Sequence, residues 1–270
     1  MDDDELETLL RNDRYPRSAA YPARWMVDGA MGPNPVWLAE ALTEVLPLRP
    51  GQRVLDLGCG NALSSIFLAK EFGVEVWAAD LWVKPDDNLH RITTADVAGR
   101  VHPIFAEAHA LPFAAGFFDA VISLDAYHYF GTDDLYLGYC SRFLKPGGSI
   151  GIVVPGLADE YATLPPPHLE PFWSWDFCAW HSPAWWRRHW AKTGLATVEV
   201  ADRLPDAWRD WLLWNEACDR DRDVPGDEAR MLRADAGRTL GFTRLVARRH
   251  PAAGAPRSVG AAGNGDRAGE

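Results

Sequence analysis

A glycine-containing turn is the first pattern in the sequence that could bind a ligand. In the run Val54-Leu55-Asp56-Leu57-Gly58-Cys59-Gly60-Asn61, a strand pattern precedes two glycines, and a helix-like segment follows from about Ala62 to Phe72. Glycines let the backbone approach a ligand closely, and the turn amides and helix N-terminus can donate hydrogen bonds to an anion. We therefore predict a site for a carboxylate or phosphate here. The same spacing also occurs in structural turns, so the motif depends on its context.

Asp80, at the end of the second predicted strand, supplies that context. It follows Gly60 by about twenty residues, where a carboxylate can accept both hydroxyls of a ribose. The third glycine of a dinucleotide-binding fingerprint is missing, because Leu63 stands in its place, and Asp56 lies shortly before the first glycine. Both features favour a cofactor other than NAD.

A second group of chemically capable residues follows the predicted strand that ends at Leu124. Asp125, Tyr127 and His128 come directly after this strand, at the carboxyl edge where open α/β sheets bind ligands. We predict that they face the reacting groups. His128 is the best candidate for a general base, since an imidazole titrates near pH 6.5. Alternatively, His128, Tyr127 and Tyr129 shape the pocket and hydrogen-bond one another.

Tryptophan is concentrated in one part of the chain. The sequence has 13 Trp, and nine of them lie between residues 173 and 214. Their faces could form a substrate wall that attracts planar rings or cations, but we expect ordinary core packing for most of them, with one or two lining the pocket. The predicted substrate contacts are Tyr129, Trp175, Trp180 and His181, with Tyr15 and Tyr21 closing the pocket from the N-terminal side.

These residues need a scaffold, and the hydrophobic pattern predicts an α/β fold. Short β-branched runs alternate with helix-length segments, which indicates a Rossmann-like, doubly wound, mostly parallel seven-stranded sheet with helices on both faces. The predicted strands are Val54 to Leu57, Val74 to Ala79, Val101 to Phe105, Ala120 to Leu124, Ile150 to Val154, Ala196 to Ala201 and Phe242 to Ala247.

Changes in composition predict the organisation around this sheet. Residues 1–35 form a helical N-terminal lead-in or lid, and residues 36–250 form the main domain. Within that domain, 156–182 is a Pro- and Trp-rich cap after the fifth strand, and 205–239 is a helical insertion with a polar stretch at 219–227. Residues 251–270 are rich in Gly, Ala and charge without periodicity, which predicts a disordered tail.

Composition also narrows the range of possible binding partners. A formal net charge of −11 disfavours nucleic acid. Four cysteines without a C-x-x-C pair fit neither a zinc site nor a disulfide framework, so we expect no metal. No apolar run approaches the roughly 20 residues of a membrane helix, and the acidic start lacks a secretory pattern, which indicates a cytoplasmic protein without a membrane partner. An exposed aromatic cap would also suit a homodimer interface.

Five motifs together resemble the class I S-adenosylmethionine-dependent methyltransferase family. They appear in the family's order and cover about residues 36–154, and the strand pattern extends the resemblance to about residue 248. The motifs are Val54-Leu55-Asp56-Leu57-Gly58-Cys59-Gly60, Asp80, Leu111-Pro112-Phe113, Phe118-Asp119-Ala120-Val121 and Leu144-Lys145-Pro146-Gly147-Gly148.

The resemblance implies roles for individual residues. Asp56, Gly58 and Gly60, with Cys59 between them, would surround the amino acid end of the cofactor, and Asp80 would hold its ribose. Leu81 or Trp82 would lie against the adenine, with Leu124 near the cofactor at the strand end. Glu107-Ala108 occupies the place of the pair that addresses the adenine edge. There the family usually has Asp preceded by Gly, and this chain has Glu107 preceded by Ala106, which weakens the assignment of Glu107 but not that of Ala108.

The implied reaction is methyl transfer to O, N or C of a small, in one reading aromatic, acceptor, with S-adenosylhomocysteine as product. The sulfonium is already an activated donor, so the protein mainly aligns a nucleophile and excludes water, and a base is optional. An NAD-dependent oxidoreductase and an inactive cofactor-binding scaffold are the alternatives, because one fold hosts many functions.

Overall fold

The computed structural model describes residues 1–161, 163 and 165–251. Of the predicted disordered tail at 251–270, all but the first residue lie outside the described residues. Seven strands form one sheet in the order β3-β2-β1-β4-β5-β7-β6. The strands are β1 (Arg53–Leu57), β2 (Glu75–Asp80), β3 (Val101–Phe105), β4 (Phe118–Leu124), β5 (Leu144–Leu157), β6 (Ala196–Arg203) and β7 (Leu240–Arg249).

The predicted fold class is confirmed by the strand directions. The first five strands pair in parallel, and β7 runs antiparallel to both neighbours. Successive side chains of one strand enter different hydrophobic clusters, as Val54 and Leu55 do in β1. The sheet is therefore covered on both faces. The helices are α1 (Asp3–Leu10), α2 (Ala23–Asp28), α3 (Pro35–Thr43), α4 (Leu63–Phe72), α5 (Pro85–Thr94), α6 (Tyr136–Cys140), α7 (Pro183–Ala191), α8 (Ala207–Arg222) and α9 (Asp227–Asp235).

Two elements differ most from their predicted bounds. Strand β5 runs from Leu144 to Leu157, beyond both ends of the predicted Ile150 to Val154, and from Ser149 to Leu157 it is paired with β7. Helix α8 continues to Arg222, well into the predicted polar stretch at 219–227, and ends where Asp223 adopts a φ of 53°. Two of the polar residues there make contacts that a simple polarity pattern does not reveal, because Asp221 pairs with Arg24 and Asp219 accepts the Gly226 amide.

The N-terminal segment packs on α8. The Tyr15 hydroxyl donates to Asp210 over 2.9 Å, and the Arg24 guanidinium pairs with Asp221 at 2.8 Å. Leu6 and Leu10 of α1 are buried in the same cluster as residues of α3 and α8. The lead-in thus shares the core of the main sheet, although its action as a lid stays a prediction.

Most of the tryptophans are packing residues. The Trp186 and Trp190 side chains of α7 are fully buried against one face of the sheet, and those of Trp211 and Trp214 in α8 are buried against the other. No helix in the described part of the chain is long and apolar enough to cross a membrane. Among the same residues, no group of three or more His, Cys, Asp or Glu side chains could hold a metal ion.

Candidate functional site

The turn between β1 and α4 requires its glycines. Gly58 and Gly60 have φ values of 77° and 51°, in the left-handed region that glycine adopts without strain. A Cβ on Gly58 would lie 2.4 Å from the Cβ of Ala126. The amides of Gly58 and Cys59 donate to the Ala79 carbonyl over 2.8 and 3.1 Å. These turn amides therefore hold β1 to β2, and an anion must instead bind at the first turn of α4, whose amides have no intrahelical partner.

Asp56 supports this turn from inside the core. Its Oδ2 accepts hydrogen bonds from the hydroxyls of Ser64 and Ser65, both 2.6 Å long, while Oδ1 is buried without a hydrogen-bond partner in the described chain. Burial raises the pKa of Asp56 to about 6, against the opposing effect of the two serine hydroxyls. Its side chain thus anchors the start of α4 and does not line a cavity.

Asp80 organises the chain on both sides of the carboxyl end of β2. Its Oδ2 accepts the Gly60 amide over 2.8 Å, and its Oδ1 accepts the amides of Trp82 and Val83 over 2.7 and 2.9 Å. A carboxylate offers about four acceptor positions, so roughly one is left, on Oδ2. Asp80 can therefore accept one hydroxyl of a ligand beside its structural bonds, rather than the two that the sequence predicts.

A cavity of about 330 Å³ opens at the carboxyl ends of β1, β2 and β4. This volume lies in the usual range for small-molecule sites. We call it the first cavity. It brings together eleven of the residues predicted from the sequence: Gly58, Cys59, Gly60, Asp80, Leu81, Trp82, Glu107, Ala108, Leu124, Asp125 and Tyr129.

The rim of the first cavity carries Trp82 and Glu107. The Trp82 ring is 75% exposed, which leaves its face open to a planar ligand. The Glu107 carboxylate accepts from both the amide and the Nδ1 of His109, each over 2.8 Å, and this pairing lowers the pKa of Glu107. Its oxygens are thus engaged locally, although the residue lines the cavity as expected.

A segment before α3, residues 29–33, closes the first cavity from above the glycine turn. A Cβ on Gly60 would lie 2.9 Å from the Met31 sulfur, and one on Gly32 would lie 2.4 Å from Oδ2 of Asp125. The Trp214 indole donates to the Gly32 carbonyl over 2.8 Å, which fixes the segment to α8. These contacts were not predicted from the sequence, although the Gly and Pro residues around Met31 were a signal that the backbone could approach the site closely here.

A second cavity, of about 340 Å³, adjoins the first. Aromatic side chains of the cap and of α8 form much of its wall, including Phe172, Phe177, Trp180 and Trp211. Phe177 and Trp180 stack with ring centroids 3.8 Å apart, and Trp180 meets Trp211 edge-on at 5.8 Å. Residues that line both cavities mark their junction: Met31, Gly32, Pro33, Asp125 and Tyr129.

The second cavity is acidic. Asp125, Asp176, Asp227 and Glu228 line it, and its lining includes neither Lys nor Arg. Burial raises the pKa of Glu228 to about 7, with the charge of Asp219 acting in the same direction. Burial also raises the pKa of Asp125, and the nearby Glu228 adds to this effect.

His128 lies in the wall of the second cavity with 1% of its surface exposed. Its ring is close to that of Tyr129, with centroids 4.0 Å apart, and its Nδ1 has no hydrogen-bond partner within the described residues. Burial lowers the pKa of His128 to about 4. The imidazole is therefore neutral at pH 7, available to a ligand but a weak base.

Besides Asp56, five predicted site residues lie away from both cavities. Tyr127 is fully buried and packs against Trp186 and Trp190, with centroid distances of 5.8 and 5.6 Å. Tyr15 and Tyr21 line a separate cleft against α1 and α2. Trp175 is 86% exposed, and His181 stacks on Trp185 and pairs with Glu160 at 3.1 Å. The structure therefore separates these side chains from the remaining candidates.

Several cavity residues were not identified from the sequence. Glu228 and Met231 come from α9. This helix was not predicted separately and lies within the broad helical insertion predicted at 205–239. Asp176 lies in the cap between aromatic residues, and the predicted substrate contacts in the cap were based on its aromatic pattern rather than on its acidic residue. His109 also lines the first cavity.

Comparison with known proteins connects this geometry to a family. Residues 54–148 match a family model described as a methyltransferase domain. The 27-O-demethylrifamycin SV methyltransferase of Amycolatopsis mediterranei is 34% identical over 116 residues, which are 43% of this chain and 43% of that protein. The demethylmenaquinone methyltransferase of Beutenbergia cavernae is 29% identical over 184 residues, 67% of this chain and 68% of that protein. The match thus spans less than half of the rifamycin enzyme.

Solved structures share the fold at low sequence identity. Geranyl diphosphate C-methyltransferase from Streptomyces coelicolor, in complex with S-adenosyl-L-homocysteine, aligns with a TM-score of 0.66 and 20% identity, over 88% of this chain and 81% of that one. Phosphoethanolamine N-methyltransferase 2 of Haemonchus contortus aligns with a TM-score of 0.67 and 21% identity, over 91% of this chain and 60% of that one.

Proposed function

Since the chain belongs to the class I S-adenosylmethionine-dependent methyltransferases, we propose that it transfers a methyl group from S-adenosylmethionine to a small molecule. The observation that carries this proposal is the pair of adjoining cavities, one beside the glycine turn and Asp80 and one walled by aromatic side chains. A donor and an acceptor bound side by side would meet at Asp125 and Tyr129.

The first cavity suits the cofactor in three places. Its glycine turn and the start of α4 leave room and free amides for the amino acid carboxylate. The remaining acceptor position on Asp80 suits one ribose hydroxyl, and the open Trp82 ring and the residues Glu107-Ala108 suit the adenine. Asp125, at the junction, places a carboxyl group where the sulfonium would lie.

When bound, the cofactor supplies an activated methyl group: the acceptor's lone pair forms the new bond to carbon as the sulfur–carbon bond breaks and its electrons return to sulfur. The chain's own contribution is alignment and the exclusion of water. The segment around Met31 closes the first cavity, and aromatic side chains wall the second. Both features align the bound molecules and exclude water. The proton that the acceptor loses passes to solvent or to a neighbouring side chain.

We propose that His128 orients the acceptor by a hydrogen bond and is not its principal base. With a pKa lowered to about 4, its imidazole accepts protons weakly at neutral pH. His128→Ala is then expected to raise KM for the acceptor several-fold with little change in the pH profile of kcat. Loss of a limb of that profile in the variant, with kcat falling a hundredfold or more, would instead assign the base role to His128.

Calorimetric titration of the full chain tests the cofactor. S-adenosylmethionine and S-adenosylhomocysteine are expected to bind, and NAD is not, because Leu63 replaces the third glycine of a dinucleotide site. Binding of NAD alone would favour the oxidoreductase alternative. Binding of the first two without methyl transfer to any of a broad set of amines, phenols, alcohols and quinones would favour the inactive scaffold.

Two further expectations from the sequence remain proposals. We propose a cytoplasmic protein that does not bind nucleic acid, given its net charge of −11. We also propose that two copies associate through the exposed aromatic surface around Trp175. Light scattering of the wild type and of Trp175→Ser tests the second proposal: a monomeric wild type would refute it.

A further inference from the structure

The second cavity is lined by more carboxyl groups than the chain pairs with basic side chains. Asp125, Asp176 and Glu228 have no ion pair with a basic side chain in the described part of the structure. The fourth carboxylate differs, because Asp227 is paired with Arg230 at 2.6 Å. Partly buried carboxyl groups without cations are costly, so their grouping around one space indicates a ligand that supplies positive charge.

The cofactor can account for only part of this charge. Its sulfonium would lie at the junction, near Asp125, which lines both cavities. Asp176 and Glu228 line the second cavity but not the first. Two carboxyl groups are therefore left on the acceptor side after the sulfonium has been counted.

The remaining wall has the chemistry of a cation site. The rings of Phe177, Trp180 and Trp211 surround the same space, and aromatic faces attract cations, with Trp the strongest. In addition, the buried Nδ1 of His128 has no partner and can bond a polar group of a ligand. This orphaned nitrogen points to a ligand independently of the acidic residues.

The titration behaviour of the carboxyl groups agrees with this geometry. Burial raises the pKa values of Glu228 and Asp125, with the charge of Asp219 adding to the effect on Glu228 and that of Glu228 adding to the effect on Asp125. A cation bound beside Glu228 would favour its ionised form and remove this penalty.

We propose that the acceptor is an amine that binds as an ammonium ion between Glu228 and Asp176, inside the aromatic wall of the second cavity. One proton then passes from its nitrogen to a neighbouring carboxylate, and the freed lone pair takes the methyl group. This inference rests on the proposed function, because it names the substrate class of the same reaction. The aromatic wall also restricts the rest of the acceptor, which must have an apolar or ring-containing body that fits a cavity of about 340 Å³.

Three probes of similar size and different charge test the proposal. We would titrate 2-phenylethylamine, 2-phenylethanol and 3-phenylpropionate into the full chain saturated with S-adenosylhomocysteine, and follow the total tryptophan fluorescence, to which Trp180 and Trp211 in the cavity wall contribute. The amine is expected to bind at least tenfold more tightly than the alcohol, and the carboxylate not to bind. Equal affinity for amine and alcohol, or tighter binding of the carboxylate, would overturn the proposal.

Substitutions of the carboxyl groups test which of them binds the positively charged nitrogen. Glu228→Gln is expected to weaken amine binding tenfold or more and to leave the alcohol and S-adenosylhomocysteine within twofold. Asp176→Asn gives a second measurement if Glu228→Gln does not fold. Asp223→Asn is the matched control: it removes the same charge at an exposed residue between α8 and α9 that lines neither cavity, and its amine affinity should stay within twofold.

The two proposals fail in different ways. Normal S-adenosylhomocysteine binding with no preference for the amine, or an equal loss of amine affinity in Glu228→Gln and Asp223→Asn, would overturn the acceptor assignment and leave the methyltransferase proposal intact. No binding of S-adenosylhomocysteine to the wild type would overturn the proposed function and this inference with it.

Discussion

Replacing Asp80 by Asn separates the two tasks that this carboxylate performs. Its oxygens accept three amide hydrogen bonds, from Gly60, Trp82 and Val83, at 2.8, 2.7 and 2.9 Å. Asn has one acceptor oxygen, which can keep the bonds to Trp82 and Val83, while its NH₂ group then faces the amide of Gly60. The variant thus loses one hydrogen bond to a charged acceptor and weakens two.

The expected loss of stability follows from this count. A hydrogen bond to a charged group contributes about 1.5–3 kcal/mol, and charged bonds are about twice as strong as neutral ones. We therefore expect the free energy of unfolding to fall by about 3–6 kcal/mol in urea titrations. The affinity for S-adenosylhomocysteine should fall tenfold or more, which corresponds to about 1.4 kcal/mol, because the free position on Oδ2 would bind a ribose hydroxyl.

Asp119→Asn is the control for a general loss of stability. Asp119 accepts the Arg53 amide at 2.8 Å and the Lys145 ammonium at 2.7 Å, near the start of β4 and so at the sheet edge opposite the cavities. We expect it to lower the free energy of unfolding by about 1–2 kcal/mol and to leave the ligand affinity within twofold. If Asp80→Asn also kept its affinity within twofold, the ribose contact would be refuted; if it kept full stability, the hydrogen-bond argument would be refuted.

Three other substitutions test the supporting structure. The raised pKa of Asp56 predicts that wild-type stability falls by up to about 3 kcal/mol as the pH rises from about 4 to above 6, where the buried carboxyl must ionise, and urea titrations of Asp56→Asn should lack this component. Gly58→Ala, which forces a Cβ against Ala126 at a φ of 77°, should abolish S-adenosylhomocysteine binding, whereas Gly51→Ala at the same φ with open space around it should cost only about 1–2 kcal/mol in urea titrations and leave binding intact. Tyr127→Phe removes a buried hydroxyl without a partner, so thermal unfolding should show equal or higher stability, and methyl transfer should be unchanged; a large loss of activity would return Tyr127 to the site.

The sheet and the first cavity were predictable because their signals are local. A β-branched run, a glycine turn and an acidic residue at the end of the next strand each lie within a short stretch of sequence. Parallel strands bring their carboxyl ends to one edge, so Gly58, Asp80 and Leu124 had to lie close together once the strands were assigned. All seven strands were predicted, with differences mainly at their ends.

The segment after β4 shows why side-chain direction was not predictable. Residues 127–129 form a single turn of 3-10 helix, in which successive side chains point about 120° apart. Tyr127 is consequently turned into the core beside α7, while His128 and Tyr129 face the second cavity. The sequence does not show which of the two tyrosines, Tyr127 or Tyr129, points into the core. Only the backbone conformation decides this.

The acidic wall of the second cavity depends on tertiary packing alone. Glu228 lies in the first turn of α9, where an acidic residue is ordinarily a solvated group that interacts favourably with the helix dipole. Contact between α9 and the cap buries it beside Trp211 and raises its pKa to about 7. From the sequence, Glu228 and the exposed Asp227 are equivalent.

Asp125 links the two cavities through one backbone conformation. Its φ of 52° is uncommon for a residue other than glycine, and such strain is maintained only where the surroundings enforce it. Here the Asp125 amide donates to the Val153 carbonyl over 2.8 Å, and the side chain lies against Gly32, where any Cβ would collide with Oδ2. The left-handed turn therefore sends the carboxyl group away from the strand axis and into the junction, and the glycine opposite leaves space for it. A bound sulfonium and a bound amine would both act on this carboxyl group, so the charge of one ligand should affect the affinity for the other even though they occupy different cavities.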